Sequence, residues 1–185
     1  MCTCITYENG DFYFGRNLDL EYSFGERVVI TPRKYPLTFK RMESMGRHYG
    51  MIGMAAVMEE YPMYAEAVNE KGLCMAGLNF PGNAFYPVAG KKKYQVTPYE
   101  VIPWLLGQCS SVREAVGYLK ETDLTGIPFA PEVPLAPLHF MLADRKEAWA
   151  AEPVEEGLKL YENPFGVLTN NPPFPFHLMN LRQYL

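Results

Sequence analysis

The sequence has few residues of the types that bind transition metals. It contains four cysteines and three histidines among 185 residues. Cys2 and Cys4 form a C-x-C rather than a C-x-x-C, and the histidines at 48, 139 and 177 are scattered. No zinc-type spacing results, so we expect no metal site. In a reducing cytosol the four cysteines also predict free thiols rather than disulfides.

Long basic runs and long apolar runs are also missing. The longest basic block covers residues 91–93 and the net charge is −4, so we expect no nucleic-acid partner. No apolar run is long enough to cross a bilayer, so we expect no membrane partner. The first residues contain neither the basic nor the long apolar segment of a signal peptide, and we therefore expect a cytoplasmic protein.

Common catalytic signatures are absent as well. The sequence has no G-x-S-x-G, no H-E-x-x-H, no P-loop and no G-x-G-x-x-G. A serine triad is therefore unmarked, although its members need not be close in sequence. Hydrophobic residues make up 48% and charged residues 21%, a composition typical of a folded domain rather than a disordered chain.

What is present is a set of strand-like segments around two helices. Asn9-Gly10 is a strong hairpin signal, so a strand over 2–7 should return over 11–15. Thr97 and Ser111 each begin a capping box, which predicts two helix starts. Further strands are predicted over 27–31, 50–57, 72–78, 139–143, 147–152, 158–161 and 166–169. This order of strands, helices and strands indicates an α+β fold in a single domain over 1–185.

The most informative feature is a cysteine directly after the initiator methionine. Removal of Met1, which is usual before a small residue, leaves a thiol and a free α-amine together on Cys2. The amine can then act as the base for the adjacent thiol, as in other N-terminal nucleophiles, and no histidine is required. The alternative is that Cys2 is a buried structural thiol.

Two neighbourhoods favour the catalytic interpretation. Arg16 and Asp19 lie three residues apart after the return strand, where a cation lowers a thiol pKa and a carboxylate orients an ammonium group. Asn79 and Asn170 each follow a predicted strand, where amide groups can stabilise an oxyanion. The alternatives are an exposed ion pair and ordinary turn residues.

Five segments together resemble the choloylglycine hydrolase family, which holds conjugated bile salt hydrolases and penicillin V acylases. These segments are residues 1–3, 14–22, 69–73, 76–81 and 166–172, in the order of the family. The resemblance implies an N-terminal-nucleophile hydrolase fold, with two antiparallel sheets between helix layers (αββα). Because family members continue well beyond position 185, it also implies a domain that is incomplete at its C-terminus.

The resemblance further implies a role for each candidate residue. Cys2 is the nucleophile, Arg16 and Asp19 support it, and Asn79 and Asn170 surround the tetrahedral intermediate. Asparagine at position 79 is similar to the bile-salt-cleaving members, whereas penicillin V acylases tend to have tyrosine. The implied reaction is hydrolysis of the amide bond between a bile acid and glycine or taurine, without a cofactor. Candidate walls for the apolar substrate are Leu18, Tyr22, Met58, Ile127 and Phe129, although core packing is the simpler explanation for each.

Two alternatives stay open beside this interpretation. The chain resembles, within the same family, enzymes that act on penicillin V or on other N-acyl amides such as acyl-homoserine lactones. In a different class, it is an inactive fragment that only binds a hydrophobic acid or a partner chain. For the intact protein the resemblance implies a homo-oligomer.

Overall fold

The N-terminal hairpin is formed as the sequence predicts. A computed structural model describes residues 1–21 and 23–184. Strands β1 (Thr3–Asn9) and β2 (Asp11–Asn17) pair antiparallel around the predicted turn. Gly10 has a φ of +74°, the left-handed conformation that this turn requires. The chain terminus is therefore bound into a sheet, whereas most termini fray.

The rest of the described chain consists of a run of strands, two consecutive helices, a second run of strands and a final helix. The strands are β3 (Arg27–Thr31), β4 (Met51–Met58), β5 (Tyr61–Asn69), β6 (Cys74–Asn79), β7 (Tyr94–Val96), β8 (Thr122–Leu124), β9 (Leu138–Ala143), β10 (Ala148–Val154), β11 (Gly157–Glu162) and β12 (Val167–Leu168). The helices are α1 (Val101–Gln108), α2 (Val112–Lys120) and α3 (Phe174–Leu181).

The strands form two stacked antiparallel sheets. Seven strands make the large sheet, in the order β11-β10-β9-β6-β5-β4-β3, and three make the small sheet, in the order β12-β1-β2. Strands β7 and β8 form a separate parallel pair. Helix α1 packs on β4, β5 and β6 of the large sheet, and α2 packs on β11 and β8. The α+β prediction is confirmed.

Two hydrophobic cores hold these layers together. The first core lies where α1 and α2 meet the large sheet, and Trp104, Leu105 and Phe140 are among its fully buried members. The second core lies between the two sheets and contains Cys2, Cys4, Ala76, Leu78, Met141, Ala143, Ala148, Ala150, Leu168 and Phe174. Alanines dominate the large-sheet side of the second core, which allows the two sheets to approach closely.

The boundary of α1 differs from the prediction. The helix begins at Val101 rather than just after Thr97, because only half of the predicted capping box forms. Thr97 donates its backbone N–H to the Glu100 carboxylate at 3.0 Å, while the Glu100 N–H donates to the Thr97 carbonyl at 2.9 Å rather than to the Thr97 hydroxyl. Pro103 is consequently the third helical residue. Its missing N–H removes no helical hydrogen bond there, which explains why the helix tolerates it.

Several elements were not predicted. Strand β5 carries Pro62 near its start, and a proline within a sequence segment argues against predicting a strand there. The short strands β7 and β8 and the helix α3 were not predicted either, although the sequence of α3 looks amphipathic. In the described ranges, no helix is both long and apolar enough to span a membrane.

Asn69 ties the end of β5 to the end of α1. Its amide nitrogen donates to the carbonyl oxygens of Leu106 (2.8 Å) and Cys109 (2.7 Å), and its amide oxygen accepts from the backbone N–H groups of Lys71 (3.0 Å) and Leu73 (3.1 Å). The side chain is buried, with 3% of its surface exposed. One amide group thus satisfies four backbone groups, among them two carbonyls that the helix end leaves free.

We predict that Asn69→Asp destabilises the protein by about 2–4 kcal/mol. The carboxylate has the same shape, but it cannot donate and would face two buried carbonyl oxygens. Urea unfolding followed by circular dichroism measures the change, with the exposed Asn180→Asp as the matched control. An unfolding midpoint equal to that of the control would show that Asn69 does not have this structural role.

Candidate active site

The backbone around Cys2 is held by two asparagine side chains. The Cys2 N–H donates to the Asn170 amide oxygen at 2.6 Å. The Thr3 N–H donates to the Asn17 amide oxygen at 2.6 Å, and the Asn17 amide nitrogen donates to the Met1 carbonyl at 3.0 Å. The peptide units before and after Cys2 are therefore both fixed by side chains rather than by solvent.

The amino terminus meets a carboxylate at the same place. The α-ammonium group of Met1 donates to Asp19 at 2.5 Å, on the exposed edge of the site. This hydrogen bond to Asp19 is the main cause that raises the pKa of the ammonium group above its ordinary value. Asp19 is thus positioned where it can orient a positively charged chain terminus.

Asn170 links Cys2 to Asn79, another of the candidate residues. Its amide nitrogen donates to the carbonyl oxygen of Asn79 at 2.6 Å, while its amide oxygen accepts from Cys2. Asn79 is the exposed last residue of β6, and Asn170 follows β12, which pairs directly with β1. The ends of three strands from two sheets therefore converge on one backbone segment.

Arg16 lies deeper, between the sheets. Its side chain is 3% exposed and pairs with Glu66 at 2.9 Å, and it also donates to the Gly77 carbonyl at 3.2 Å. In the hairpin register it stands opposite Cys4, and no hydrogen bond joins it to Cys2 in the described chain. Burial raises the pKa of the Cys4 thiol to about 12, and the charge of Arg16 offsets this only in part.

The Cys2 side chain lies within the second core. It is 4% exposed, while its backbone neighbours are the polar groups described above. Two surface depressions, of about 300 and about 700 Å³, are lined by other residues, the first near Thr6 and Phe165 and the second along Ile30 and Ile52. Within residues 1–21 and 23–184, no cluster of three or more His, Cys, Asp or Glu side chains is arranged to hold a metal ion.

The predicted substrate walls fall into two places. Leu18 packs against the second core, which contains Cys2. Met58 pairs with Tyr61 at the end of the β4–β5 hairpin, and the Phe129 ring lies 6.1 Å from the Tyr61 ring. Ile127 is half-buried. Tyr22 lies outside the described residues.

Asn17 was missed by the sequence interpretation, although a signal for it was available. A two-residue turn at Asn9-Gly10 would put Asn17 opposite Cys2, whereas the observed register is centred on Gly10 and pairs Asn17 with the next residue, Thr3. Counting back from the turn would have placed this asparagine beside Cys2. The contact between Cys2 and Asn170 had no such local signal.

A family model described as linear amide C–N hydrolases, choloylglycine hydrolase family, matches residues 2–185. A bile salt hydrolase/transferase from Lactiplantibacillus plantarum is 53% identical over 184 residues, a match that covers 100% of this chain and 57% of the relative. A conjugated bile acid hydrolase from Lactobacillus gasseri is 38% identical over 190 residues, covering 100% of this chain and 60% of the relative. The chain thus spans less than two thirds of the length of these relatives.

Solved structures agree with the fold. A mutant of the conjugated bile acid hydrolase from Clostridium perfringens superposes with a TM-score of 0.94 at 35% identity, over 100% of this chain and 58% of that chain. A penicillin V acylase from Agrobacterium tumefaciens superposes with a TM-score of 0.77 at 21% identity, over 99% of this chain and 56% of that chain, a likeness of fold alone. The N-terminal-nucleophile hydrolase fold is confirmed.

We predict that Cys4, Cys74 and Cys109 resist alkylation in the folded protein. Burial raises the pKa of each thiol to about 12 from an ordinary value of 9.0. At pH 8 the thiolate fraction, and with it the alkylation rate, should therefore fall roughly 1,000-fold. Iodoacetamide labelling followed by peptide mass spectrometry measures this, with the urea-unfolded protein as the control. Labelling of these three residues as fast in the folded as in the unfolded protein would contradict the prediction.

Proposed function

The chain belongs to the choloylglycine hydrolase family, and on that premise we propose that it hydrolyses the amide bond of glycine- or taurine-conjugated bile salts with Cys2 as nucleophile. The observation that carries the proposal is the hydrogen bond from the Cys2 nitrogen to Asn170, beside the chain terminus at Asp19. Relatives named as bile salt hydrolases support the substrate class.

The proposed reaction begins with removal of Met1. The freed α-amine of Cys2 then takes the proton of its own thiol, and the sulfur attacks the amide carbonyl carbon. A carbon–sulfur bond forms, the carbon–nitrogen bond breaks, and the amine passes its proton to the departing glycine or taurine. Water then adds to the thioester, which releases the bile acid and restores the thiol.

Asp19 and Asn170 are proposed to orient the new amino terminus. Asn170 already accepts a hydrogen bond from the nitrogen that would become the α-amine. Asp19 already binds an ammonium group one residue away, so it suits the charged form of that amine. Once Met1 is removed, the two groups would hold the base beside the thiol before substrate arrives, which is the entropic advantage of a preorganised site.

Asn79 and Asn170 are proposed to surround the tetrahedral intermediate. Asn79 is exposed at the end of β6, and its carbonyl is held by Asn170. An amide N–H directed at the developing oxyanion is worth several kcal/mol in known hydrolases. Arg16 is proposed to support this arrangement from below, because its contacts with Glu66 and Gly77 hold β2 against the large sheet.

The sterol body of the substrate requires an apolar surface. We propose that Leu18 lies at the reacting end and that Met58, Ile127 and Phe129 contact the ring system, with Tyr22 as a further candidate. The chain spans 57–60% of the relatives named above, so turnover by this chain is itself part of the proposal. A cytoplasmic location and a homo-oligomeric state remain predictions.

We predict that intact-mass spectrometry finds the chain one methionine residue lighter than its translated sequence, and that it hydrolyses glycocholate or taurocholate faster than penicillin V. Cys2→Ala should abolish turnover, because it removes the nucleophile. The control is Cys74→Ala, which should retain activity. Cys74 is also a buried cysteine, but it lies on β6 of the large sheet.

The same experiment separates the alternatives. Full activity of Cys2→Ala would contradict the nucleophile assignment. Faster cleavage of penicillin V would favour an acylase. A processed chain that binds the bile salts without cleaving any of the three substrates would favour the inactive fragment over the enzyme.

A further inference from the structure

A buried histidine and a buried glutamate lie behind the candidate active site. His139 on β9 is 0% exposed and Glu152 on β10 is 1% exposed. The His139 Nδ1 atom and a Glu152 carboxylate oxygen are 3.1 Å apart. A polar pair in such surroundings is costly unless every one of its groups is bonded, so its other contacts are informative.

These other contacts are both with the segment that carries Asn170. The His139 Nε2 atom lies 2.7 Å from the Thr169 carbonyl oxygen. The same Glu152 oxygen accepts the backbone N–H of Phe174 at 2.9 Å. The segment 169–174 is therefore bonded to the His139–Glu152 pair at both of its ends, with Asn170 between them.

The chemistry of these contacts defines the role of each ring nitrogen. A carbonyl oxygen cannot donate a hydrogen bond, so Nε2 must carry a proton and donate it to Thr169. The His139 Nδ1 atom and the Glu152 carboxylate form a hydrogen bond whether the proton between them is on the nitrogen or on the oxygen. The ring orientation is thus fixed from both sides, as in other histidines held by a carboxylate.

His139 also contacts the segment that carries Asn79. The Phe80 ring stacks on the imidazole at a centroid distance of 4.3 Å and an interplanar angle of 5°. The Phe80 N–H donates to the Pro137 carbonyl at 2.6 Å, two residues before His139. A single imidazole therefore touches the residue after Asn79 and the residue before Asn170.

We propose that His139, held by Glu152, is a positioning residue that sets Asn79 and Asn170 around Cys2. This inference rests on the proposed function above. His139 does not contact the reacting atoms; it acts through the backbone of Thr169 and the ring of Phe80. A displacement of about 1 Å at Asn170 would move the hydrogen-bond acceptor of the Cys2 nitrogen, and shifts of this size cost on the order of 100-fold in rate in known enzymes.

Two substitutions separate positioning from simple packing. The amide nitrogen of glutamine lies three bonds from Cβ, as Nε2 does in histidine, so His139→Gln can still donate to Thr169. The amide nitrogen of asparagine lies two bonds from Cβ, as Nδ1 does, so His139→Asn retains the contact with Glu152 and loses Thr169. Both variants remove the ring that stacks on Phe80. They therefore differ mainly in whether the hydrogen bond to the carbonyl of Thr169, the residue before Asn170, is retained.

The expected result is a loss in kcat for glycocholate hydrolysis of roughly 10- to 100-fold in His139→Asn, with KM little changed. His139→Gln should recover most of that loss. The control is His48→Asn. His48 is also buried and its ring nitrogens also contact backbone carbonyls, those of Tyr35 and Tyr49, each at 2.7 Å, but these residues belong to a different loop. This control should lower the unfolding midpoint and leave kcat of the folded protein unchanged.

A second readout does not need turnover. The side-chain amide signals of Asn170 in a ¹⁵N NMR spectrum, assigned with Asn170→Asp, should shift in His139→Asn and stay near the parent positions in His139→Gln. If the parent chain cleaves no bile salt, the proposed function fails while this measurement still decides the positioning role. Equal kcat losses in the two His139 variants, unchanged kcat in both, or Asn170 signals unmoved in His139→Asn would overturn the proposal.

Discussion

The candidate site depends on one hydrogen bond, from the Cys2 nitrogen to the side chain of Asn170, two residues 168 positions apart in the chain. It joins the start of the first strand to the end of the last strand. Pairing of β1 with β12 makes it possible, because Leu168 stands opposite Cys4 in that ladder. Without the small sheet, the chain terminus would fray like most others and no group on it could be preorganised.

The two cores explain how this small sheet is held in place. The first core fixes the helices on the large sheet, and the second seats the small sheet on the other face of the same strands. Strand β6 contributes to both, with Met75 in the first core and Ala76 and Leu78 in the second. Its last residue is Asn79, so the packing of the sheets and the geometry of the site are set by one strand.

Local sequence patterns correctly predicted those turns, strands and helix starts that are determined by residues adjacent in the chain. The turn at Asn9-Gly10, the strand over 27–31 and the start of α2 at Ser111 are determined by a few adjacent residues, and all three are confirmed. The start of α1 was predicted three residues early, because the Glu100 carboxylate accepts the Thr97 N–H but the Glu100 N–H does not donate to the Thr97 hydroxyl. The long-range contacts had no local signal, since they require the register of β9, β10 and β12 to be known.

Asn79 and Asn170 were predicted as site residues from their positions after strands and from the family resemblance, whereas the groups that contact them are visible only in the structure. His139 and Glu152 look like ordinary strand residues in the sequence, and their pairing follows from strands β9 and β10 lying side by side. The most direct test of the account is to quench the chain during turnover of a bile-salt conjugate and analyse its N-terminal peptide by mass spectrometry. The account predicts a peptide that begins at Cys2 and carries the bile acyl group on its sulfur. Product formation with a peptide that still begins at Met1, or with the acyl group on another residue, would contradict it.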